Sequence, residues 1–472
     1  MANKYLTTTL PYVNADPHVG FAYELVAADA LVRYWKATGD DVFFNTGTDE
    51  HGQKIAGKAD EKGESRQAYV DHYANEFRKL IPALGVSEDI HFIRTTDERH
   101  KKAAEELWRR CEAAGDIYKK KYKGLYCVGD EMFVKESELV DGRCANHPNL
   151  ELEEIEEENY FFKLSNYQSY LEEYLSRDGV IVPEWRRQEA RSFVKKGLED
   201  FSISREKARL DWGIPVPGDE NQVMYVWFDA LTNYVSTLGW PEDTEGNYEK
   251  FWKSGEPMQI AGKDQVRFQS VMWQAMLKSA GLAPTAKVLY HGFITSGGQK
   301  MSKSLGNVVS PFELVSRYGT EATRYLLLRH VHPFEDTDVT WERLDEWYNA
   351  GLVNGIGNLT ARILKMSETH LGAFEAHDFI SEMKGMEEYD CKSALDYLWS
   401  RIQALDEKIA ETEPFKLVKT EPERAKAILE ELRADLYRLS IELRPFMPAT
   451  AVTIEEAVKA NKKPENLFAR ID

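Results

Sequence analysis

Cysteines and long apolar runs are both scarce in this sequence. Its 472 residues include only four cysteines, which excludes a disulfide-rich scaffold and favours a reducing compartment. No apolar run approaches the length that a membrane-spanning helix needs. The amino terminus, MANKYLTTTL, lacks the apolar segment of a signal peptide. These observations predict a cytoplasmic protein that does not enter a membrane.

Positive charge is also in short supply. Lys and Arg total 60 against 79 Asp and Glu, so the formal net charge is −19. This balance excludes a simple polybasic nucleic-acid binder, but a large RNA can still be bound through local basic patches. Hydrophobic residues at 43% and aromatic residues at 12% exclude global disorder. A chain of this length is expected to form roughly two to four domains.

The order of apolar patterns predicts an α/β protein with a parallel sheet. Strands over 4–13, 41–52 and 90–96 alternate with helices near 65–84 and 97–114, and the same alternation returns after residue 222. The acidic run at 151–158 predicts a solvated face. The predicted segments are a Rossmann-like first half (1–115), an inserted connective domain (116–221), a second half (222–295), a loop and linking segment (296–345) and an all-α bundle (346–472).

The stretch NADPHVGFAYEL, residues 14–25, predicts the start of a helix that ends near Gly39. Asp16 suits the N-cap and Pro17 the first helical position. His18 then lies in the first turn, where free amides and the helix dipole favour an anion. Taken alone, a surface histidine explains it equally well. This stretch and residues 47–52 both follow predicted strands, so the two are expected to share one crevice.

A second stretch, SGGQKMSKSLGN at 296–307, carries Lys300 and Lys303 on a glycine-flanked loop. Two ammonium groups three residues apart suit a substrate whose negative charge moves during the reaction, such as a triphosphate that loses pyrophosphate. A basic surface loop is the simpler alternative.

Together these motifs resemble those of class I aminoacyl-tRNA synthetases. HVGF at 18–21 resembles their HIGH motif, and KMSKS at 300–304 matches their second motif letter for letter. The resemblance extends over nearly the whole chain and is strongest to the methionyl-tRNA synthetase family. The further matching segments are TLPYVN (9–14), GTDEHG (47–52), YVWFDALTNY (225–234), GKD (262–264), YHGFIT (290–295) and NLTAR (358–362).

The resemblance implies an aminoacyl-tRNA ligase. Such an enzyme activates methionine with ATP and Mg²⁺ to methionyl-adenylate and pyrophosphate, and then transfers methionine to the 3′ end of its tRNA. The catalytic residues implied are His18, Lys300 and Lys303. Phe21 departs from the family, which usually has a second histidine there, and Arg267 is expected to supply the missing donor. The residues implied in ATP binding are His18, Gly20, Phe21, Gly262, Asp264, His291, Gly292, Ile294, Lys300 and Lys303.

For methionine, the resemblance implies that Asp49 binds the α-ammonium group. Gln269 takes the position where the family commonly has a histidine, and Gln265 stands where an apolar residue is usual. Without the resemblance, turn capping or core packing would explain each of these residues. The residues implied in methionine binding are Leu10, Tyr12, Asp49, Trp227, Leu231, Tyr234 and Gln269.

In the helical region, Asn358 and Arg362 are four residues apart and face the same way on a helix. The resemblance implies that they read the tRNA anticodon, with Phe415 as the stacking residue that is usually Trp. A plain polar pair on the surface is the alternative. Some relatives carry an additional C-terminal dimerising domain beyond the point where this chain ends, so a monomer is expected.

The segment 126–148 contains a candidate zinc knuckle. Cys127 and Asp130 have C-x2-C spacing with Asp in the second place, and Cys144 and His147 have C-x2-H spacing. Asp is an acceptable zinc ligand, so one structural Zn²⁺ is expected. The alternative is a knuckle that folds without metal and leaves both cysteines as thiols.

Two other functions stay open at this point. One is a class I synthetase for leucine, isoleucine, valine or cysteine, although the aromatic pocket and the NLTAR segment argue against it. The other is a synthetase-derived tRNA-binding protein with weakened catalysis, which Phe21 and Gln269 favour and the intact KMSKS sequence opposes.

Overall fold

The structure is a computed structural model that describes residues 1–129, 132–134, 139–145, 148–301, 308–377 and 383–471. Within these ranges, no helix combines the length and the apolar character needed to cross a membrane. The strands are β1 (Asn3–Thr7), β2 (Asp41–Thr48), β3 (His91–Arg94), β4 (Ile117–Cys127), β5 (Met132–Val134), β6 (Leu139–Val140), β7 (Arg143–Cys144), β8 (Glu153–Phe162), β9 (Ile181–Val182), β10 (Phe201–Ser202), β11 (Ser204–Glu206), β12 (Pro215–Val216), β13 (Asp219–Met224), β14 (Glu256–Gly262), β15 (Lys287–His291), β16 (Ile294–Ser296), β17 (Gln299–Lys300) and β18 (Thr337–Asp338).

The helices cover both faces of the main sheet and form the C-terminal region. They are α1 (Val19–Ala37), α2 (Gln53–Lys62), α3 (Arg66–Ala83), α4 (Glu98–Ala113), α5 (Gln168–Ser176), α6 (Glu184–Lys195), α7 (Val226–Leu231), α8 (Asn233–Ser236), α9 (Trp273–Ser279), α10 (Pro311–Tyr318), α11 (Thr320–His330), α12 (Trp341–Tyr348), α13 (Asn358–His370), α14 (Cys391–Thr412), α15 (Pro414–Thr420), α16 (Pro422–Leu443) and α17 (Pro448–Lys459). Short π-helical segments, Tyr248–Lys253, Phe268–Met272 and Asn349–Gly357, and 3₁₀ turns, Leu164–Tyr167, Lys263–Gln265 and Met386–Glu388, complete them.

The main sheet has six strands in the order β3-β2-β1-β14-β15-β9, and all its pairs are parallel. Successive residues of β1 point to opposite faces, so Tyr5 enters one hydrophobic core and Leu6 the other. Phe43 and Phe44 of β2 do the same. The predicted α/β class and parallel sheet are therefore confirmed. The edge strand β9 comes from within the predicted insertion and pairs with β15.

The acidic run lies on β8, which pairs antiparallel with β4. Glu154 and Glu158 are exposed, as predicted, and form ion pairs with Lys123 and Lys119 of β4. The prediction of a solvated face is wrong for Glu157, which is buried and accepts a hydrogen bond from Asn159. The reason is the period of two along a strand, which turns every second residue of the run inward.

Beyond residue 346 the described chain is helical, as predicted. α13, α14, α16 and α17 pack side by side, and their apolar residues join the same core that lies beneath α1. Helix α1 thus connects the carboxyl edge of the sheet, where it begins, with the helical region. The predicted domain boundaries stay predictions.

Candidate active site

Helix α1 begins with a histidine cap. Its N-cap is His18, whose Nδ1 accepts hydrogen bonds from the backbone N–H of Gly20 (3.1 Å) and Phe21 (3.4 Å). The predicted cap at Asp16 is therefore wrong, because an imidazole nitrogen serves as acceptor two residues later. In the neutral ring, an accepting Nδ1 leaves the proton on Nε2. His18 is exposed, and its Nε2–H is a donor at the helix N-terminus, where anions are favoured.

Gly20 is needed by this cap. A Cβ atom at position 20 would lie 3.0 Å from both Cε1 and Nδ1 of His18. A side chain there would therefore require the His18 ring to shift by a few tenths of an ångström. A contact within the protein thus favours glycine at position 20. The resemblance implies a second reason, which is space for a nucleotide.

Phe21 faces the protein interior. Its ring is buried and meets the ring of Phe77 edge to face, with centroids 5.4 Å apart. The guanidinium group of Arg267 lies 4.6 Å from the ring centre of Phe193 on α6. The described contacts of Phe21 are thus those of a core residue, and the ATP contact predicted for it and the compensating role predicted for Arg267 stay predictions.

The ends of β1 and β2 share one crevice, as predicted. Asp49 donates its backbone N–H to Pro11 O (3.0 Å), and Val13 donates its own to Asp49 O (3.2 Å), so that Tyr12 and Asp49 form a parallel bridge. Asp49 is buried, whereas Leu10 and Tyr12 are half-buried. The carboxylate of Asp49 is thus held at the edge of the sheet beside the start of α1.

A second wall comes from α7, α8 and the π-helical segment before α9. The ring of Trp227 stacks on Phe268 with centroids 3.9 Å apart, and Leu231 and Tyr234 are buried. Gln269 Nε2 donates to the hydroxyl of Tyr234 at 2.7 Å. Because the Tyr234 oxygen accepts this bond, its own proton is left for another acceptor.

Tyr234 lies near the other groups of the crevice. Burial raises its pKa well above the ordinary value, and the negative charges of Glu24 and Asp49 raise it further. The hydroxyl therefore stays protonated at physiological pH. The Oε1 of Gln269 is buried and has no hydrogen-bond partner among the described residues.

A buried contact joins the end of β15 to helix α1. His291 Nε2 contacts Glu24 Oε2 at 2.9 Å, and its Nδ1 lies 2.8 Å from Gly292 O. Burial lowers the pKa of His291, but the hydrogen bond and charge of Glu24 outweigh it, so the pKa is raised overall. Glu24 also accepts from the N–H and the hydroxyl of Thr9, each at 2.6 Å. The sequence did not indicate Thr9 or Glu24; the one available signal was a carboxylate on a mostly apolar helix.

Two glycines of the predicted ATP site allow close approach, of backbone at Gly292 and of a side chain at Gly262. A Cβ at Gly292 would lie 2.2 Å from the carbonyl carbon and oxygen of Glu335, and one at Gly262 would lie 2.7 Å from Asp264 Oδ1. Asp264 is exposed, and the neighbouring Ile294 is buried and pairs with residue 337 in a small sheet. These positions line the end of β14 and the start of β16.

The second motif begins in a hairpin. Strand β16 pairs antiparallel with β17, so that Thr295 faces Lys300. Gly297 and Gly298 form the two-residue turn with φ of 62° and 73°, a conformation that favours glycine. Gly298 donates its N–H to Asp338 Oδ1 at 2.7 Å. The hairpin places the backbone of Lys300 opposite Thr295, in the segment that follows β15; Lys303 lies outside the described residues.

The predicted zinc ligands are described only in part. Cys127 ends β4 and Cys144 ends β7, and both are buried cysteines outside any disulfide. Asp130 and His147 lie outside the described residues. Buried thiols of this kind fit a structural zinc site. Among the residues that the structure describes, no group of three or more metal-ligating side chains is assembled.

The predicted anticodon residues lie at the helical end of the molecule. Asn358 is exposed at the first position of α13, and Phe415 of α15 has 48% of its surface exposed. Arg362 is half-buried and forms an ion pair with Asp406 of α14. These three residues lie on α13 and α15, neither of which supplies a residue of the crevice described above.

A parallel sheet, a histidine-capped helix that follows its first strand and a glycine hairpin that leads to Lys300 are the arrangement expected of a class I aminoacyl-tRNA synthetase. The family described as tRNA synthetases class I (M) matches residues 4–154 and 148–364, and the chain belongs to it. Its relatives include the methionine–tRNA ligase of Brucella suis, 41% identical over 97% of this chain and 92% of the relative. The methionine–tRNA ligase of Thermotoga maritima is 37% identical over 98% of this chain and 76% of the relative.

Solved structures agree with this assignment. The methionyl-tRNA synthetase of Mycobacterium tuberculosis in complex with methionyl-adenylate superposes with a TM-score of 0.88 at 36% identity. The match covers 96% of this chain and 93% of that one. The apo form of the same enzyme superposes with a TM-score of 0.83 and covers 100% of this chain.

Proposed function

We propose that this chain is a methionine–tRNA ligase. It activates methionine with ATP to methionyl-adenylate and pyrophosphate, and then transfers methionine to the 3′ end of its tRNA. The observation that carries the proposal is that buried Asp49 pairs through its backbone with the segment 11–13, which leads into the His18-capped helix. One crevice thus offers a donor for phosphate oxygens and a partner for an amino-acid ammonium group. Relatives of this name that match nearly the whole chain support it.

In the activation step, the methionine carboxylate attacks the α-phosphorus of ATP and pyrophosphate leaves. No covalent enzyme intermediate is required, so catalysis consists of positioning and of stabilising charge on the phosphates. The proposed donors are the Nε2–H of His18, which its backbone cap holds outward, and the ammonium groups of Lys300 and Lys303. Mg²⁺ enters with ATP and neutralises part of its charge. Gly20, Phe21, Gly262, Asp264, His291, Gly292 and Ile294 are proposed to line the nucleotide site.

The methionine site is proposed to hold both ends of the substrate. The Asp49 carboxylate pairs with the α-ammonium group, while Leu10, Tyr12, Trp227 and Leu231 surround the side chain. Because Gln269 donates to the Tyr234 hydroxyl, the proton of that hydroxyl is available to the thioether sulfur. Shape alone discriminates between apolar side chains by only about 10- to 200-fold per methylene, so a polar contact to sulfur adds selectivity.

The tRNA and metal assignments are proposals about the outer parts of the chain. Asn358, Arg362 and Phe415 would contact the anticodon loop. Cys127, Asp130, Cys144 and His147 would hold one structural Zn²⁺, which would brace the inserted segment and take no part in the reaction. Metal content of protein purified without chelator, before and after Asp130→Ala, tests the zinc site. A monomer is proposed.

The test is aminoacylation of tRNA together with adenylate formation. Purified protein is given ATP, total tRNA and, in separate reactions, methionine, leucine, isoleucine, valine or cysteine. Charging with methionine alone supports the proposal. Charging with another of these amino acids indicates a different class I synthetase, and binding of tRNA without any charging indicates a non-catalytic descendant.

A further inference from the structure

Three buried side chains from separate segments meet behind the crevice. His51 Nδ1 lies 2.6 Å from one carboxylate oxygen of Asp229, and His100 Nε2 lies 2.7 Å from the other. Asp229 and His100 are fully buried and His51 is 4% exposed. On its other side, His100 Nδ1 lies 3.0 Å from the hydroxyl of Ser236. None of these residues has a role in the reaction described above.

The charge of Asp229 determines which ring nitrogens of the two histidines donate a hydrogen bond to it. Burial raises the pKa of Asp229, but the two histidines outweigh it and lower the pKa to about 2. The carboxylate is therefore ionised at neutral pH and accepts one N–H from each ring. The Nε2–H of His100 is thus directed to Asp229, while its Nδ1 contacts the Ser236 hydroxyl, which also lies 3.4 Å from Asn233 O. A buried network in which each contact is satisfied holds its members in one arrangement.

The cluster joins the two halves of the methionine site. His51 lies two residues beyond Asp49 in the segment that follows β2. Asp229 lies on α7, between Trp227 and Leu231. His100 belongs to the first turn of α4 and contacts Asp229 of α7 and Ser236 of α8. The segment that carries Asp49 is thus hydrogen-bonded through His51 to the Asp229 carboxylate of α7, the helix that carries the apolar wall.

Glu50, the residue between Asp49 and His51, is also held by hydrogen bonds. Glu50 is fully buried, and Arg94 donates to both its carboxylate oxygens at 2.6 and 2.9 Å. The backbone carbonyl of Glu50 accepts from the indole N–H of Trp212 at 2.7 Å. With Glu50 fixed to β3, the His51 contact is a direct link between this segment and α7.

Building on the proposed function, we propose that His51, Asp229 and His100 are positioning residues for methionine. They do not touch the substrate; they fix the distance between the Asp49 carboxylate and the wall formed by Trp227 and Leu231. A displacement of about 1 Å in such a site can cost about 100-fold in rate. Loss of the cluster is therefore expected to weaken methionine binding selectively, because the nucleotide side of the crevice is braced by the separate His291–Glu24 pair.

The test compares two substitutions at His100 by steady-state pyrophosphate exchange. His100→Gln keeps an N–H donor toward Asp229, whereas His100→Leu keeps the volume and removes the donor. We expect His100→Leu to raise KM for methionine by about 10-fold or more and to leave KM for ATP within about 2-fold. His100→Gln is expected to restore most of the methionine affinity, which a role in filling space alone would not predict. If His100→Leu does not fold, His51→Leu and His51→Gln make the same comparison.

A matched control is Asp116→Asn. Asp116 is a buried carboxylate that accepts from Asn166, Tyr167 and Ser279. It lies beyond the other end of α4, whose 16 residues span roughly 24 Å at 1.5 Å per residue. This variant is expected to lose stability without a change in either KM.

Two results would overturn the positioning role. One is a methionine KM in folded His100→Leu that equals that of the parent, and the other is an equal rise in Asp116→Asn. Failure of the proposed function looks different, since the parent itself would then show no methionine-dependent exchange.

Discussion

Asp29 and Arg324 form an ion pair of 2.8 Å in which neither side chain is exposed to solvent. Asp29 lies on α1, the helix that His18 caps, and Arg324 lies on α11. Arg324 also donates to the carbonyl oxygens of Phe446 (2.7 Å) and Pro445 (3.0 Å), just before α17. One guanidinium group thus ties the helix of the active site to the helical region that is proposed to bind the anticodon.

Arg324→Met is expected to destabilise the protein strongly. It removes the fully buried partner of Asp29, which keeps Arg33 and Ser87, and it leaves the carbonyl groups of Pro445 and Phe446 without this donor. Breaking one side of a buried pair costs about 3–5 kcal/mol. Denaturant unfolding measures the change. The matched control is Lys253→Ala, which breaks the exposed pair with Glu249 and should cost under about 1 kcal/mol. Similar losses in the two variants would show that Arg324 is not the tie described above.

The His291–Glu24 pair predicts a pH-dependent contribution to stability. The pKa of His291 is raised in the folded protein, so its stabilisation is complete below the ordinary histidine pKa of about 6.5. It is lost as the pH rises through the raised value. The difference in unfolding free energy between parent and Glu24→Gln should therefore shrink as the pH rises above about 6.5 and through the raised pKa. A difference that stays constant over this range would contradict a charged His291.

Gly20→Ala is expected to lower the rate of adenylate formation about 10-fold or more, because the added Cβ displaces the His18 donor. The stability of the protein should change little. Gly57→Ala is the control: position 57 lies inside α2, and a Cβ there meets nothing within 4 Å. It should leave kcat unchanged and stabilise the helix by up to about 1 kcal/mol. Unchanged exchange kinetics in Gly20→Ala would refute the role given to the His18 cap.

The anticodon assignment is tested by separating the two half-reactions. Arg362→Ala and Asn358→Ala should weaken aminoacylation while sparing pyrophosphate exchange. Phe415→Ala should do the same, since stacking of one base contributes about 1–3 kcal/mol. The measurement is kcat/KM for tRNA beside the exchange rate.

Asp406→Ala distinguishes recognition from folding. It removes the ion-pair partner of Arg362 and leaves the arginine in place. If Arg362 contacts tRNA, Asp406→Ala should keep or improve aminoacylation. If the pair serves only the bundle, both variants should lose stability and activity together.

Local patterns in the sequence predicted the parallel sheet and the shared crevice. The meeting of Tyr12 with Asp49 followed from where two strands end. The N-cap was predicted wrongly because Asp16–Pro17 satisfies every local preference, and only the geometry shows that the His18 ring accepts the amides. The prediction of a solvated face is wrong for Glu157 because it considers the charge of the run and not the period of two along a strand.

The buried networks could not be predicted from the sequence. Glu24 and His291 are 267 residues apart, and His100 and Asp229 are 129 apart. Neither pair belongs to a motif with fixed spacing, and each depends on how α1, α4 and α7 pack on the sheet. Local propensity carries no information about such partners, so positioning residues of this kind become visible only in the folded chain.

We propose that this crevice activates methionine. The most direct test is exchange of labelled pyrophosphate into ATP by the purified protein without tRNA, with methionine, leucine, isoleucine, valine and cysteine compared, and with Lys303→Ala beside the parent. We expect exchange with methionine to exceed that with the other four amino acids, and Lys303→Ala to lose most of it while it still binds methionine. Absence of methionine-dependent exchange in the folded parent would contradict this proposal.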